Sequence, residues 1–275
     1  MRTVVLTAVF LFLATVASIG LADQSGGTDE EILKFVEPAI LKKARNGDQV
    51  SQYLIARAFA GNKLTTVSFP KAIYWARLAA EQGMAPAQVL LGEFFHRGQG
   101  VDQSFEKAAE LYELAAGQKD PIACYRLARF YFSGVGVSRS YQTAASLMKL
   151  AAEQDIPAAA HLYADMLMAG RGVRKDIQEA RSWYHKAAEL GWPFAPRNLA
   201  NIYFYGIGTE KNYEQASKWL RISIDLLGKK DPLLIKMMDA MFPKFSGRDH
   251  QFGDANAMIF MRSHAEAFKR AIILQ

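Results

Sequence analysis

Residues 121–155 read PIACYRLARFYFSGVGVSRSYQTAASLMKLAAEQD, and the reading of this stretch decides the fold. Ala123, Leu127, Ala128 and Tyr131 stand at i, i+4, i+5 and i+8, the apolar stripe of a helix with about 3.6 residues per turn. The stripe stops at Gly134-Val135-Gly136-Val137, where glycine tolerates left-handed backbone. Ser140 then opens a second helix as its N-cap. Ala144, Leu147, Leu150 and Ala151 are expected to form the apolar face of that helix. The stretch is a helical hairpin.

Stepping outward by 36 residues reproduces it. Ala123 is matched by Ala87, Ala159 and Ala195, with Ser51 one step further back. Leu127 is matched by Ile55, Leu91, Tyr163 and Leu199, and Tyr131 by Phe59, Phe95, Leu167 and Tyr203. Ala128 is matched by Ala56, Gly92, Ala164 and Ala200, small residues where two helices must approach closely. The loop glycines recur as Gly98/Gly100, Gly170/Gly172 and Gly206/Gly208. Ser140 recurs as Ser68, Ser104, Asp176 and Asn212, each able to cap a second helix. Ala144 recurs as Ala72, Ala108, Ala180 and Ala216. Five units follow, at 48–83, 84–119, 120–155, 156–191 and 192–228. The expected fold is all-α: a right-handed α-solenoid of five 36-residue helix-turn-helix repeats, closed by N- and C-terminal capping helices.

The flanks differ in kind. Arg2, the apolar run Val4–Ala17 and the small residues up to Ala22 have the order of a secretory leader, so 1–22 is expected to be a cleaved signal peptide. The product is then exported, to the periplasm in the first instance and to the medium in the second, and is not membrane-spanning once the leader is removed. Residues 23–47 are expected to hold a flexible lead, a capping box of Thr28 and Glu31, and a sealing helix interrupted by Pro38. After Gly228 the repeat degrades. Residues 229–275 are expected to form a helical cap with an enlarged loop at 242–253, where function outside the repeat could sit.

The repeated pattern is A-x-x-x-[LY]-[GA]-x-x-[YFL]-x-x-G-x-G-[VT]-x-x-[DSN]-x-x-x-A-x-x-[WL]-[YML]-x-x-A-A-E-x-G. It is fullest in unit four, with Ala159, Gly170-Arg171-Gly172-Val173, Asp176, Ala180, Trp183-Tyr184 and Ala187-Ala188-Glu189-Leu190-Gly191. This resembles the Sel-1-like repeat, a relative of the tetratricopeptide repeat, over roughly 48–228. The resemblance implies an interaction scaffold, usually in envelope or signalling complexes, and no reaction. The cysteine-rich secreted branch pairs cysteines within repeats; this chain departs from it, having only Cys124.

No catalytic residue, metal site or cofactor is expected. His96, His161, His185, His250 and His264 lack metal-ligand spacing. Cys124 suits a small buried helix position. The S-x-x-K matches Ser104–Lys107 and Ser146–Lys149 lack the companion motifs of penicillin-binding enzymes.

In related helical-hairpin solenoids the first helices line the concave face. Residues between the core positions are therefore expected in a partner-binding groove: Tyr53 and Arg57; Glu93, His96 and Arg97; Tyr125, Arg129 and Phe132; His161, Asp165 and Met168; Arg197, Asn201, Phe204 and Tyr205. Aromatics, Met and Arg concentrate binding energy at interfaces. A peptide or partner helix carrying acidic and apolar groups would match them. The chain carries a net +6 and a pI near 9.3, but its basic residues are dispersed, so no nucleic-acid partner is expected. Nothing in the residues assigns an oligomeric state. The alternative is an envelope enzyme acting on peptidoglycan or β-lactam, or a glycan-binding factor, using the 242–253 loop with Asp249 and His250.

Overall fold

The computed structural model describes residues 36–61, 67–227 and 232–244, together with 28, 30, 34, 247, 248, 254, 256 and 257. The expected leader, Glu31 of the capping box, and Asp249 and His250 of the enlarged loop lie outside these residues. Among the described residues there are twelve α-helices and no strand. They are α1 (Pro38–Arg45), α2 (Gln49–Ala60), α3 (Phe69–Glu81), α4 (Ala85–Arg97), α5 (Phe105–Gly117) and α6 (Pro121–Ser133). There follow α7 (Tyr141–Glu153), α8 (Pro157–Ala169), α9 (Ile177–Glu189), α10 (Ala195–Tyr205), α11 (Tyr213–Leu227) and α12 (Pro232–Met241), the last continued by a 3-10 turn, Phe242–Lys244.

The fold is a repeat α-solenoid of five helical hairpins, α2–α3 through α10–α11. The chain divides into two compact units, one up to Arg139 and one from Ser140, so the division falls inside the hairpin of residues 121–155. In the first unit each helix from α1 to α6 packs on the next, and in the second each from α7 to α11 does so. Pro38 does not kink the first helix but opens it at N1, where its missing N–H costs nothing.

Each hairpin is punctuated by the same local chemistry. Gly98, Gly134, Gly170 and Gly206 end the first helices in the left-handed conformation. The second glycine of each loop serves a different purpose. A Cβ on Gly100 would stand 2.5 Å from the Cβ of Phe69, and one on Gly136 or Gly172 would run into the backbone of Phe105 or Tyr141. Each of these glycines lets its loop settle on the first turn of the second helix one repeat back. The capping residue ties the loop down twice. Ser104, Asp176 and Asn212 donate backbone N–H to the carbonyls of Phe95, Leu167 and Tyr203, while their side chains accept from Lys107, Glu179 and Gln215. Ser68 makes the backbone bond to Phe59 but no side-chain cap hydrogen bond.

The core lies between the helices of each unit, with Trp75, Tyr112, Phe95, Leu91, Leu111, Trp219, Leu199 and Ile202 fully enclosed. Burying a side chain of this size contributes about 1.5–3 kcal/mol. In α7 the expected face is rotated: Ala145, Met148 and Ala152 are buried with Ala144 and Ala151, whereas Leu147 is half-buried and Leu150 exposed. Alanine at 144, 145, 151 and 152 brings the backbone itself close to its neighbours, so the leucines are not needed as spacers.

Glutamines join neighbouring hairpins in the first unit. Gln52 and Gln88 donate to the carbonyls of Ala44 and Ala80 at the preceding helix ends and accept from Gln82 and Gln118. Cys124 takes the same register one repeat later, fully buried, and burial pushes its thiol pKa up.

Candidate functional site

The expected groove residues fall into two sets, one in each unit, and the two sets are built differently. In the first unit α6 presents Ile122, Tyr125, Arg126 and Arg129 at i, i+3, i+4 and i+7, one face of one helix. The guanidinium groups of Arg126 and Arg129 lie 6.0 and 5.8 Å from the Tyr125 ring. Arg126 donates to Glu93 of α4 at 2.7 Å, and Arg97 approaches the same carboxylate at 4.0 Å. The Nε of Arg126 is buried without a hydrogen-bond partner among the described residues.

Beneath this charged layer the side chains are aromatic. The His96 ring stands 5.2 Å from Phe130 and 5.7 Å from Phe105, and Phe130 meets Tyr112 edge-on at 5.5 Å. Burial and then the charges of Arg126, Arg97 and Arg129 hold His96 below the usual histidine pKa, so it stays neutral. His96 is therefore part of the aromatic floor rather than a charged contact. Tyr112 is fully buried, its hydroxyl has no hydrogen-bond partner among the described residues, and burial plus the Glu93 charge raise its pKa. Gly92 makes room for it, because a Cβ there would sit 2.7 Å from the ring. Phe132 and Tyr53 are half-buried, and Arg57 is exposed with its guanidinium 5.9 Å from the Tyr53 ring.

In the second unit the expected positions turn inward. His161 is buried, 5.5 Å from the Tyr184 ring and 6.1 Å from Trp192. Its Nδ1 lies 3.6 Å from Asp165 and its Nε2 3.2 Å from the Asn198 amide. Tyr184 donates to Asp165 at 2.5 Å and Asn198 donates to the same oxygen at 3.3 Å. Burial, only partly opposed by Asp165, lowers the His161 pKa. Phe204 is also buried, packed on Tyr205 and Tyr213 at 4.9 and 5.5 Å, and so is not on the expected face. At His161 the covering ring is Trp192 from the next hairpin, and at Phe204 it is Tyr213 from the second helix of the same hairpin. Asn201 is half-buried and reaches Met237 Sδ at 3.8 Å, Met168 is half-buried, and the Arg197 guanidinium stands 5.7 Å from the Phe194 ring. Tyr205 is exposed.

Sequence reasoning passed over Ile122, Arg126, Tyr112, Tyr184 and Asn198. A signal for the last four exists: the triplet Glu93, Tyr112, Arg126 recurs 72 residues later as Asp165, Tyr184, Asn198. Elsewhere, the motif serines have local duties, Ser104 as a cap and Ser146 donating to the Gln142 carbonyl. Among the described residues no three His, Cys, Asp or Glu side chains are grouped to hold a metal. No helix among them is long and apolar enough to cross a membrane.

A Sel1 repeat family model matches the chain at 49–84, 85–120, 121–156, 157–192 and 194–226, within a residue or two of the five units read from the periodicity. A Sel1 repeat protein from Oxalobacter formigenes is similar in structure, with 28% identity and a TM-score of 0.65, over 73% of this chain and 58% of that one. A protective antigen of uropathogenic Escherichia coli strains, which displays an SLR fold, has 24% identity and a TM-score of 0.56, over 86% of this chain and 58% of that one, a likeness of fold alone. The chain thus spans 58% of the length of either structure. No functionally curated protein matches it. Sel1 repeats typically mediate protein–protein interaction, and the matches, repeat by repeat across the helical hairpins, make this chain a member of the Sel1 repeat family.

Proposed function

We propose that this protein is a non-enzymatic adaptor that binds a protein partner on the exposed face of its first helices, in an envelope complex or in the regulation of a signalling protein. The observation that carries the reading is the face of α6. Ile122, with 48% of its surface exposed, shares that face with Tyr125, Arg126 and Arg129, and core formation requires none of them to be there. A face serving only solubility would be rich in Lys and Glu; aromatic, Arg and exposed aliphatic side chains together are interface composition. The leader-like segment at 1–22 supports export to the periplasm.

The test is a pull-down from envelope extract, comparing the wild-type chain with Arg129→Glu plus Phe132→Ala. The variant is expected to lose at least one specific partner while keeping its far-UV spectrum and Tm. Retention of every partner sinks the reading. Hydrolysis of muropeptide or β-lactam by the pure protein, abolished by His250→Ala, would replace it with the enzymatic alternative.

A further inference from the structure

We infer that the α4–α6 face of the first unit is a carboxylate-docking site, at which an Asp or Glu side chain of a partner polypeptide is received by Arg126 and Arg129 while a neighbouring apolar side chain rests on Ile122. The inference rests on the adaptor reading above and gives its partner a chemistry.

Three arguments carry it. The first is charge. Arg97, Arg126 and Arg129 share one facing carboxylate, Glu93, bonded to Arg126 at 2.7 Å and 4.0 Å from Arg97. Arg129 makes no ion pair among the described residues, and its guanidinium lies over the Tyr125 ring. The excess of positive charge is the complement of an incoming anion. Burial is the main reason the His96 pKa is depressed, and the same three arginines add to it against Glu93.

The second argument is preparation. A guanidinium offers five donors; Arg126 has spent one nitrogen on Glu93 and its Nε is enclosed, so it meets a ligand through its remaining terminal N–H groups. Its side chain is only 26% exposed, so little rotamer freedom remains to be lost on binding. Both guanidinium groups lie over the Tyr125 ring, and a planar guanidinium can meet a carboxylate through two parallel N–H bonds.

The third is the apolar neighbour. Ile122 lies one helical turn before Arg126, about 5.4 Å along the axis. Two residues of extended chain span about 6.6 Å, so a peptide with an apolar residue two positions from an acid can use both. This combination disfavours a polyphosphate, which would have no use for an exposed isoleucine within the basic cluster, and the Sel1 repeats, which typically mediate protein–protein interaction, favour a polypeptide over a lipid surface.

The experiment selects binders to the full chain from a displayed random-peptide library, then measures their affinities in solution against versions with each acid changed to its amide. Expected are peptides with an acid near an apolar residue, weakened about tenfold by amidation, the loss typical of one charge-assisted contact. Arg126→Gln plus Arg129→Gln should weaken the acidic peptide to the same extent and leave the amide version unchanged. Glu93→Gln, which leaves both arginines in place, should tighten binding about threefold by removing the internal competitor. Equal affinity of acidic and amide peptides for the wild-type chain overturns the inference. Acid-free binders that compete at the α6 face would do so while leaving the adaptor reading standing; no binder at any first-helix face removes both. Binding to phosphatidylglycerol vesicles that the arginine double variant loses, without acid-dependent peptide binding, would assign the cluster to a membrane surface instead and overturn it.

Discussion

The same polar triangle joins the second repeat to the third and the fourth repeat to the fifth, and it has opposite character in the two. Glu93, Tyr112 and Arg126 occupy the registers of Asp165, Tyr184 and Asn198. In the fourth-repeat triangle the tyrosine donates to the carboxylate, the asparagine donates to it as well, and buried His161 closes the circle. Every partner is internal. In the second-repeat triangle a guanidinium replaces the amide, the carboxylate turns to it, and the Tyr112 hydroxyl and Arg126 Nε have no hydrogen-bond partner among the described residues. A closed network rigidifies a fold, whereas around the open one surplus positive charge stands at the surface on Arg97 and Arg129, available to a ligand. Three differences in repeated registers, Glu93 for Asp165, Arg126 for Asn198 and Val89 for His161, thus separate structural cement from a candidate site.

The largest expected effect tests the closed triangle. Asp165→Ala leaves Tyr184, Asn198 and His161 without their common partner and should destabilise by about 2–3 kcal/mol in denaturant titration. A loss below about 1 kcal/mol would remove the distinction between the triangles. Packing comes next. Gly92→Leu forces a side chain against the Tyr112 ring and should cost about 1–3 kcal/mol, as should Ala128→Leu in the same small-residue register. Unchanged melting temperatures in both would contradict the core assignment.

The tyrosines sharpen the comparison most directly. Tyr184→Phe should cost about 1 kcal/mol, whereas Tyr112→Phe, which deletes an unpartnered buried hydroxyl, should be neutral or slightly stabilising. Equal losses would show that the second-repeat triangle is closed in solution too.

Acid should weaken the second unit through His185. Burial, then Lys218 and Arg181, lower its pKa from 6.5 to about 4. A folded-state pKa below the unfolded one means that the unfolded chain binds the proton first. His185 therefore leaves stability untouched above about pH 6.5 and subtracts from it as pH falls from there toward 4. His185→Gln should flatten that part of the stability profile, and an unaltered slope would exclude the assignment. The smallest effect concerns the turn between α5 and α6. Lys119 holds φ at +63° where Gly83 and Gly191 hold +87° in other repeats, so Lys119→Gly should stabilise by about 0.5–1 kcal/mol in thermal melts.

Most of the fold was legible because it is repeated. Gly134, Ser140 and Ala144 each have counterparts at a fixed step, and a local requirement satisfied several times over is stronger than any single propensity. The candidate face was legible only in part. Tyr125 and Arg129 are where the register places them, but Arg126 lies one residue off the expected line and Ile122 outside it. His161 and Phe204 share the registers of half-buried Tyr125 and Phe132, and are buried by Trp192 from the next hairpin and by Tyr213 from the same hairpin.

By itself the sequence determined what depends on a residue and its near neighbours: helix lengths, caps, left-handed glycines, the small positions where backbones meet, and hence a five-hairpin Sel1 solenoid. The tertiary structure decided which polar groups find partners. That depends on side chains some 33 residues apart, Arg126 and Glu93 or Asn198 and Asp165, meeting at hydrogen-bond distance. The periodicity is identical in both cases; the contacts that the Asn198 amide or the Arg126 guanidinium makes close one triangle and leave the other open.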